Sequence, residues 1–162
     1  VRSQGLDAEL TGAITPRWQL SAGYTFNQTK YLTDMTASGA ASGNQGQPLA
    51  SFTPRHLLRV WSAYKLPGQQ SAWTVAGGVN FQTEAFKTNA SSNNATAPTI
   101  RVAQSTYAVW SARVSYQINR NLQAAINLNN IFDKSYYRTI GTGTGNWYGD
   151  PRNVMVSLHA AF

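Results

Sequence analysis

The chain has 162 residues, enough for one ordinary domain. Charged residues make up 12%, about half the usual share of a soluble domain, while aromatics also reach 12%; a disordered chain is poor in aromatics and is excluded, and a helical bundle fits no better. The formal net charge is +7, but the basic residues stand singly, with no stripe or cluster, so nucleic acid is not the expected partner.

There is no cysteine, hence no disulfide framework and no thiolate metal site. No apolar run approaches the roughly 18 residues that a membrane helix needs. A mean hydropathy of -0.34 still leaves room for a membrane barrel, whose strands carry apolar residues only at alternate positions. The chain starts Val-Arg-Ser without an initiator Met or signal peptide, which for an exported protein implies a mature or truncated product.

Seven segments alternate with period two, the β-strand signature. The first, about Gly5 to Ile14, sets Leu6, Ala8, Leu10 and Ile14 against Asp7, Glu9 and Thr11. Thr15-Pro16-Arg17 makes a tight turn, with Pro pre-set for the bend. The second, Trp18 to about Thr29, sets Trp18, Leu20, Ala22, Tyr24 and Phe26 against Gln19, Ser21, Gly23, Thr25 and Asn27; a long loop follows, about Thr33 to Pro54. The third, Arg55 to Leu66, alternates Leu58, Val60, Tyr64 and Leu66 with Arg59, Trp61 and Lys65, and Pro67-Gly68 connects it to the fourth. That strand opposes Trp73, Val75, Val79 and Phe81 to Thr74, Asn80, Gln82 and Glu84, before a polar loop from about Thr88 to Ser105. The fifth, Thr106 to Ile118, places Ala108, Trp110, Ala112, Val114, Tyr116 and Ile118 opposite Ser111, Arg113, Ser115 and Gln117. After Asn119-Arg120-Asn121 the sixth carries Leu122, Ala124, Ile126, Leu128 and Phe132 on one face, and a third loop runs from about Lys134 to Asp150. The seventh, Asn153 to Phe162, has Val154, Val156, Leu158 and Ala160 on one face and ends on an aromatic, like the closing strand of a bacterial outer-membrane barrel.

Tight turns alternate strictly with long loops, and strands of about ten residues match tilted membrane-spanning strands. The reading is therefore all-β: an antiparallel up-and-down transmembrane β-barrel. Single-chain bacterial barrels have even strand numbers, so seven strands imply the last part of a larger barrel.

Four motifs in order carry a family resemblance. Gly5-Leu6-Asp7-Ala8-Glu9-Leu10 resembles a G-x-(D/E)-x-E strand; Thr53-Pro54-Arg55-His56 with Tyr64-Lys65-Leu66-Pro67 matches a further stretch. Asn129-Asn130-Ile131-Phe132-Asp133-Lys134-Ser135-Tyr136-Tyr137 resembles an N-hydrophobic-F-D-K-x-Y stretch, and Asn146-Trp147-Tyr148-Gly149-Asp150-Pro151-Arg152-Asn153 a closing segment. Together they are similar to the C-terminal part of TonB-dependent outer-membrane ferric-siderophore receptors, of the hydroxamate or pyoverdine-type branch. The resemblance implies that residues 1–162 are the last seven strands of a barrel of about 22 strands, with its plug domain absent from this chain. It further implies a ferric siderophore as transported ligand, no directly bound cofactor, and energy from the TonB complex through the missing N-terminal part. Outer-membrane lipid and lipopolysaccharide would surround the barrel, and the barrel assembly machinery would insert it.

A ferric siderophore needs an aromatic and polar cup at the outer mouth, with cations if the complex is anionic. The third loop offers Tyr136, Tyr137, Arg138, Trp147 and Tyr148; the competing reading makes them interface girdle or loop packing. Arg152 and Asp150 are expected to pair across strands, and Arg59, Arg113 and Glu84 to lie on the lumen face. His56 and His159 are distant in sequence and lack the neighbours of a metal site. Gly141-Thr142-Gly143-Thr144-Gly145 lacks the Lys-Ser/Thr of a phosphate loop and reads as a flexible loop. No nucleophile-base-acid set stands out, so no catalytic residue is named and an outer-membrane enzyme is not the expected class. The alternative to a receptor is a small self-contained structural or adhesin barrel, which needs an eighth strand. Val154, Val156, Leu158, Ala160 and Phe162 form the expected membrane-insertion signal. Deleting Phe162 from the full-length receptor is expected to lower its level in the outer membrane; unchanged assembly would leave that residue a packing role only.

Overall fold

The computed structural model describes residues 1–41, 43–49, 51–89, 100–141 and 145–161. Period-two patterning becomes the strands β1 (Arg2–Thr15), β2 (Trp18–Lys30), β3 (His56–Lys65), β4 (Trp73–Gln82), β5 (Ala85–Asn89), β6 (Ile100–Gln104), β7 (Tyr107–Gln117), β8 (Leu122–Asn129), β9 (Tyr137–Thr139), β10 (Trp147–Tyr148) and β11 (Asn153–Ala160). Seven of them form one sheet in the order β1-β2-β3-β4-β7-β8-β11, with β5–β6 and β9–β10 as separate two-stranded pairs. Every neighbour in the large sheet is antiparallel. The seven expected strands are thus the seven of the sheet. The two short pairs fall in or just before the segments expected to be loops, and at two to five residues each strand is too short for a period of two to stand out.

Boundaries differ in two instructive places. β1 starts at Arg2, ahead of the expected Gly5, because Ser3 and Gln4 pair with Thr29 and Gln28 although they carry no apolar signal. β8 ends at Asn129, so Phe132 does not continue its apolar face. Asn130 and Asp133 adopt φ of 50° and 51°, left-handed geometry that Asn and Asp tolerate better than other side chains and that a strand cannot contain. Phe132 is left 74% exposed.

The sheet has almost no conventional core. Among the described residues the buried apolar side chains are Ala85, Ala125 and Ile140. Leu6, Leu10, Ile14, Val154, Leu158 and Val156 (74%) stand exposed, which in water would be untenable for so large an apolar area. Among the described residues no helix is long and apolar enough to cross a membrane. The opposite face forms an open trough of about 540 Å³, its polar lining including Glu9, Ser21, Arg59, Asn80, Ser111 and Asn127. One face suits lipid and the other a wet lumen. Because β11 is a sheet edge, Met155 on its other face is exposed as well. Phe162 lies outside the described residues.

At the end where short turns join the strands, aromatics gather. Trp73 and Tyr116 are cross-strand partners with ring centroids 4.6 Å apart, and the Trp18 indole donates to Ser62 Oγ at 2.8 Å. Such a belt marks a membrane interface. On the trough face Trp61 is paired with Gly78, whose missing side chain makes room for it. A Cβ there would collide with the Val60 carbonyl oxygen and lie 2.6 Å from the Trp61 ring. Gly78→Val in the full-length protein is expected to cost on the order of 1–3 kcal/mol, read as a smaller heat-resistant folded fraction on electrophoresis. Gly77→Ala, whose Cβ would sit 3.4 Å from the Ser111 carbonyl, is expected to fold normally.

Candidate functional site

The end of the sheet bearing the long loops is its outer mouth, since outer-membrane barrels keep short turns on the periplasmic side. The third loop there is organised by one residue, Asn130, only 2% exposed. Its amide donates to the carbonyls of Lys134 and Asp150, both at 3.0 Å, and its Oδ1 accepts from the Lys134 amide at 2.8 Å. Asp133 Oδ1 accepts from the Arg152 backbone amide at 2.9 Å, and the Ile131 amide donates to the Trp110 carbonyl at 2.9 Å. Both ends of the loop are therefore pinned to each other and to β7. The N-hydrophobic-F-D-K stretch acts as a structural latch, for which the side chains Asn130 and Asp133 are the working parts.

The latch delivers an aromatic ledge. Tyr137 pairs with Tyr148, and Thr139 with Trp147, across β9–β10. The Tyr137 and Tyr148 rings lie 4.8 Å apart with hydroxyls at 3.4 Å. That hydrogen bond, and the charge Tyr148 would carry when ionised, hold the Tyr137 phenol above its usual value. Among the described residues Trp147 and Tyr148 are 66% and 67% exposed, large aromatic faces open to solvent. The Tyr137 amide donates to the buried Gln104 side chain, which ties the ledge to β6.

The five expected ligand-binding residues divide by placement. Tyr137, Trp147 and Tyr148 form the ledge. Tyr136 instead stacks on Tyr107, centroids 4.5 Å apart, and any side chain at Gly149 would run into its ring. Arg138 stands at the surface with Asp150 at 4.0 Å; with both groups largely solvated, that pair is worth little and leaves the guanidinium available. Asp150 thus faces Arg138 and not the expected Arg152, because the latch directs the Arg152 backbone to Asp133. The glycine-rich run places Gly141 beside Asn146, its amide donating to Asn146 Oδ1 at 3.2 Å; residues 142–144 lie outside the described residues.

The other expectations resolve as follows. Arg59 lines the trough. Glu84 does not face the lumen but pairs with Arg101 in the second long loop, since β4 ends at Gln82. His56 accepts or donates through Nδ1 to the Tyr24 hydroxyl at 2.8 Å and packs its ring 5.2 Å from Phe26. Among the described residues no group of three or more potential metal ligands assembles.

A second mouth feature was not legible in the sequence. Phe86 donates its amide to the Ser51 carbonyl at 2.9 Å, Arg101 lies 4.1 Å from the Phe86 ring centroid, and Lys87 4.9 Å from that of Phe52. The first two long loops are thus clasped, leaving a hollow of about 280 Å³ lined by Asn27, Thr29, Ser51, Thr53, Arg55 and Phe86, among others. The only sequence signal was phenylalanine within otherwise polar loops, and pairing of residues so distant in the chain has no local signature.

Comparison with known proteins bears on all of this. The family described as "TonB dependent receptor-like, beta-barrel" matches residues 1–131. The chain is 44% identical over 163 residues to the ferric-pyoverdine M114 receptor PbuA of Pseudomonas sp. strain M114, covering all of this chain and 18% of that receptor. Among solved structures, the pyoverdine outer-membrane receptor FpvA of Pseudomonas aeruginosa PAO1, bound to pyoverdine, aligns with a TM-score of 0.80 and 32% identity, over 99% of this chain and 21% of that one. The ferric-catecholate import receptor Fiu of Escherichia coli K12 aligns with a TM-score of 0.75 and 27% identity, again over 99% and 21%. The chain spans about a fifth of the length of the receptors it matches.

The latch has a direct test. Asn130→Ala leaves two carbonyls and one amide without a partner, a loss of order 1–3 kcal/mol for the loop. Limited proteolysis of the full-length receptor on intact cells is expected to cut residues 130–152 faster than in the wild type, at equal surface expression. Unchanged cleavage would remove the latch role.

Proposed function

Because the chain belongs to the TonB-dependent receptor β-barrel family, integral proteins of the bacterial outer membrane, we propose that it builds part of the wall and mouth of a receptor that takes up a ferric siderophore of the pyoverdine or hydroxamate type. The observation that carries the reading is the exposed aromatic ledge of Tyr137, Tyr148 and Trp147, aimed outward from a loop pinned at both ends. Flat aromatic faces pack on a chelate at little cost in conformational entropy, and Arg138 at their side adds charge complementarity to an anionic complex. Relatives that carry pyoverdine or ferric-pyoverdine in their names support the ligand class.

In this reading the ferric siderophore is cargo, with no resident cofactor and no catalytic step. Uptake draws on the TonB complex through parts of the receptor beyond these 162 residues. Membrane lipid and lipopolysaccharide cover the outward face. The barrel assembly machinery engages the closing strand through Val154, Val156, Leu158, Ala160 and Phe162, whose alternation presents one continuous apolar edge.

The test is alanine substitution of Trp147, Tyr148, Tyr137 and Arg138, one at a time, in the full-length receptor. Truncating an aromatic that packs on the ligand is expected to cost about 1–3 kcal/mol, or roughly 5- to 150-fold in ferric-siderophore affinity at normal surface expression. If all four variants bind as the wild type does, the ledge is loop packing and the contacts lie elsewhere in the receptor.

A further inference from the structure

The aromatic ledge is held from a further side, by the loop next to its own. Gln104, the last residue of β6, is 7% exposed, and both ends of its side-chain amide are bonded. Nε2 donates to the Ser105 carbonyl at 2.8 Å, and Oε1 accepts from the Tyr137 backbone amide. The first bond aims the second: with Nε2 committed to a neighbouring carbonyl, the oxygen is the end that faces Tyr137. An N–H can be served only by an acceptor, so a hydrocarbon of similar size would leave the half-buried Tyr137 amide without its bond.

Tyr137 is the first residue of β9, so this bond grips the ledge at its root. One residue earlier Tyr136 stacks on Tyr107, centroids 4.5 Å apart, and its carbonyl accepts from the Gly149 amide at 2.9 Å. Gln104 and Tyr107 thus hold consecutive residues of the third loop, one through the backbone and one through the ring. Among the described residues no other hydrogen bond joins the second long loop to the third.

Asn130 and Gln104 therefore do different work. Asn130 closes the third loop on itself, between the end of β8 and the start of β11. Gln104 sets where the hairpin of Tyr137, Trp147 and Tyr148 stands relative to its neighbour. That neighbour is anchored in turn, since Phe86 bonds Ser51 of the first loop and lies opposite Ala103 on β6.

We infer that Gln104 is a positioning residue for ferric-siderophore binding: its amide holds the Tyr137 backbone so that the Tyr137–Tyr148 ring pair faces the ligand. The inference rests on the siderophore reading of the ledge. Gln104 acts through Tyr137 and does not touch the ligand. A ligand that needs the held orientation binds in proportion to the share of time that orientation is occupied. Losing one bond that favours it about tenfold lowers apparent affinity by roughly the same factor. The loss falls on association, because the complex once formed keeps the same contacts.

The full-length receptor, folded in detergent, is tested with ferric pyoverdine as the probe. Gln104→Met, close in size but without the amide, is expected to slow association about tenfold and leave dissociation unchanged. Trp147→Ala, which removes a contact, is expected instead to speed dissociation. In a Tyr137→Ala background, which keeps the backbone amide and removes the ring, Gln104→Met is expected to have no further effect. Hydrogen exchange in the peptide containing Tyr137 is read on the same samples without ligand, and is expected to be faster in Gln104→Met. Should Gln104→Met not fold, Gln104→Glu replaces it: ionised, it keeps an acceptor for Tyr137 but has no donor for Ser105, and about threefold slower association is expected. An unchanged association rate, an equal loss in the Tyr137→Ala background, or unchanged exchange would each overturn the proposal. Absence of pyoverdine binding by the wild type sinks the siderophore reading and this inference with it. Normal wild-type binding, impaired by Trp147→Ala and untouched by the Gln104 variants, sinks only the role of Gln104.

Discussion

Hydrocarbon gives a backbone amide or carbonyl nothing to bond to, and this constraint governs the whole molecule. Seven strands satisfy one another from β1 to β11, in unbroken antiparallel register apart from an irregularity near the β1–β2 turn. The solution works only if the two edges are also met, which is why the outer strands present ladders and not finished surfaces. Everything else hangs on that ladder. It decides which side chains face lipid and which face the trough, and it sends each long loop to the same end.

With backbone needs met by the sheet, side chains are free to specialise by height. The outward face begins at an aromatic belt around Trp18 and Trp73 and passes through Leu20, Ala22 and Leu10. It closes on Leu6 and Phe26. Each step matches the local solvent, interface first and then hydrocarbon. On the inner face Ser, Asn, Arg and Glu coexist without dense charge, as a water-filled interior permits.

Mouth loops need order without a core to pack on. Two devices supply it. Asn130 uses both amide donors and its Oδ1 to join the start of the third loop to its end, and the buried position makes those bonds worth keeping. The first two loops are clasped through Phe52, Phe86, Lys87 and Arg101. The result is an aromatic ledge and a polar hollow held at the rim by networks that never enter the membrane.

Side-chain alternation along a strand is a local property, so the sequence by itself determined the strand count of the main sheet, the outward column from Leu6 to Trp18 and the short-long rhythm of connections. The aromatic character of the third loop was likewise plain from Tyr137, Trp147 and Tyr148. What required the tertiary structure was every relation between distant residues. Strand register put Trp61 over Gly78, and the closure of the mouth loops put Gln104 against the Tyr137 amide. The left-handed turn at Asn130 ended β8 before Phe132 and handed Asp133 to the Arg152 backbone, leaving Asp150 to face Arg138. The hairpins β5–β6 and β9–β10 were invisible because strands of two to five residues are too short to show a period. Periodicity encodes which way a residue points, whereas its partner depends on register and loop closure, which are set by the whole sheet at once.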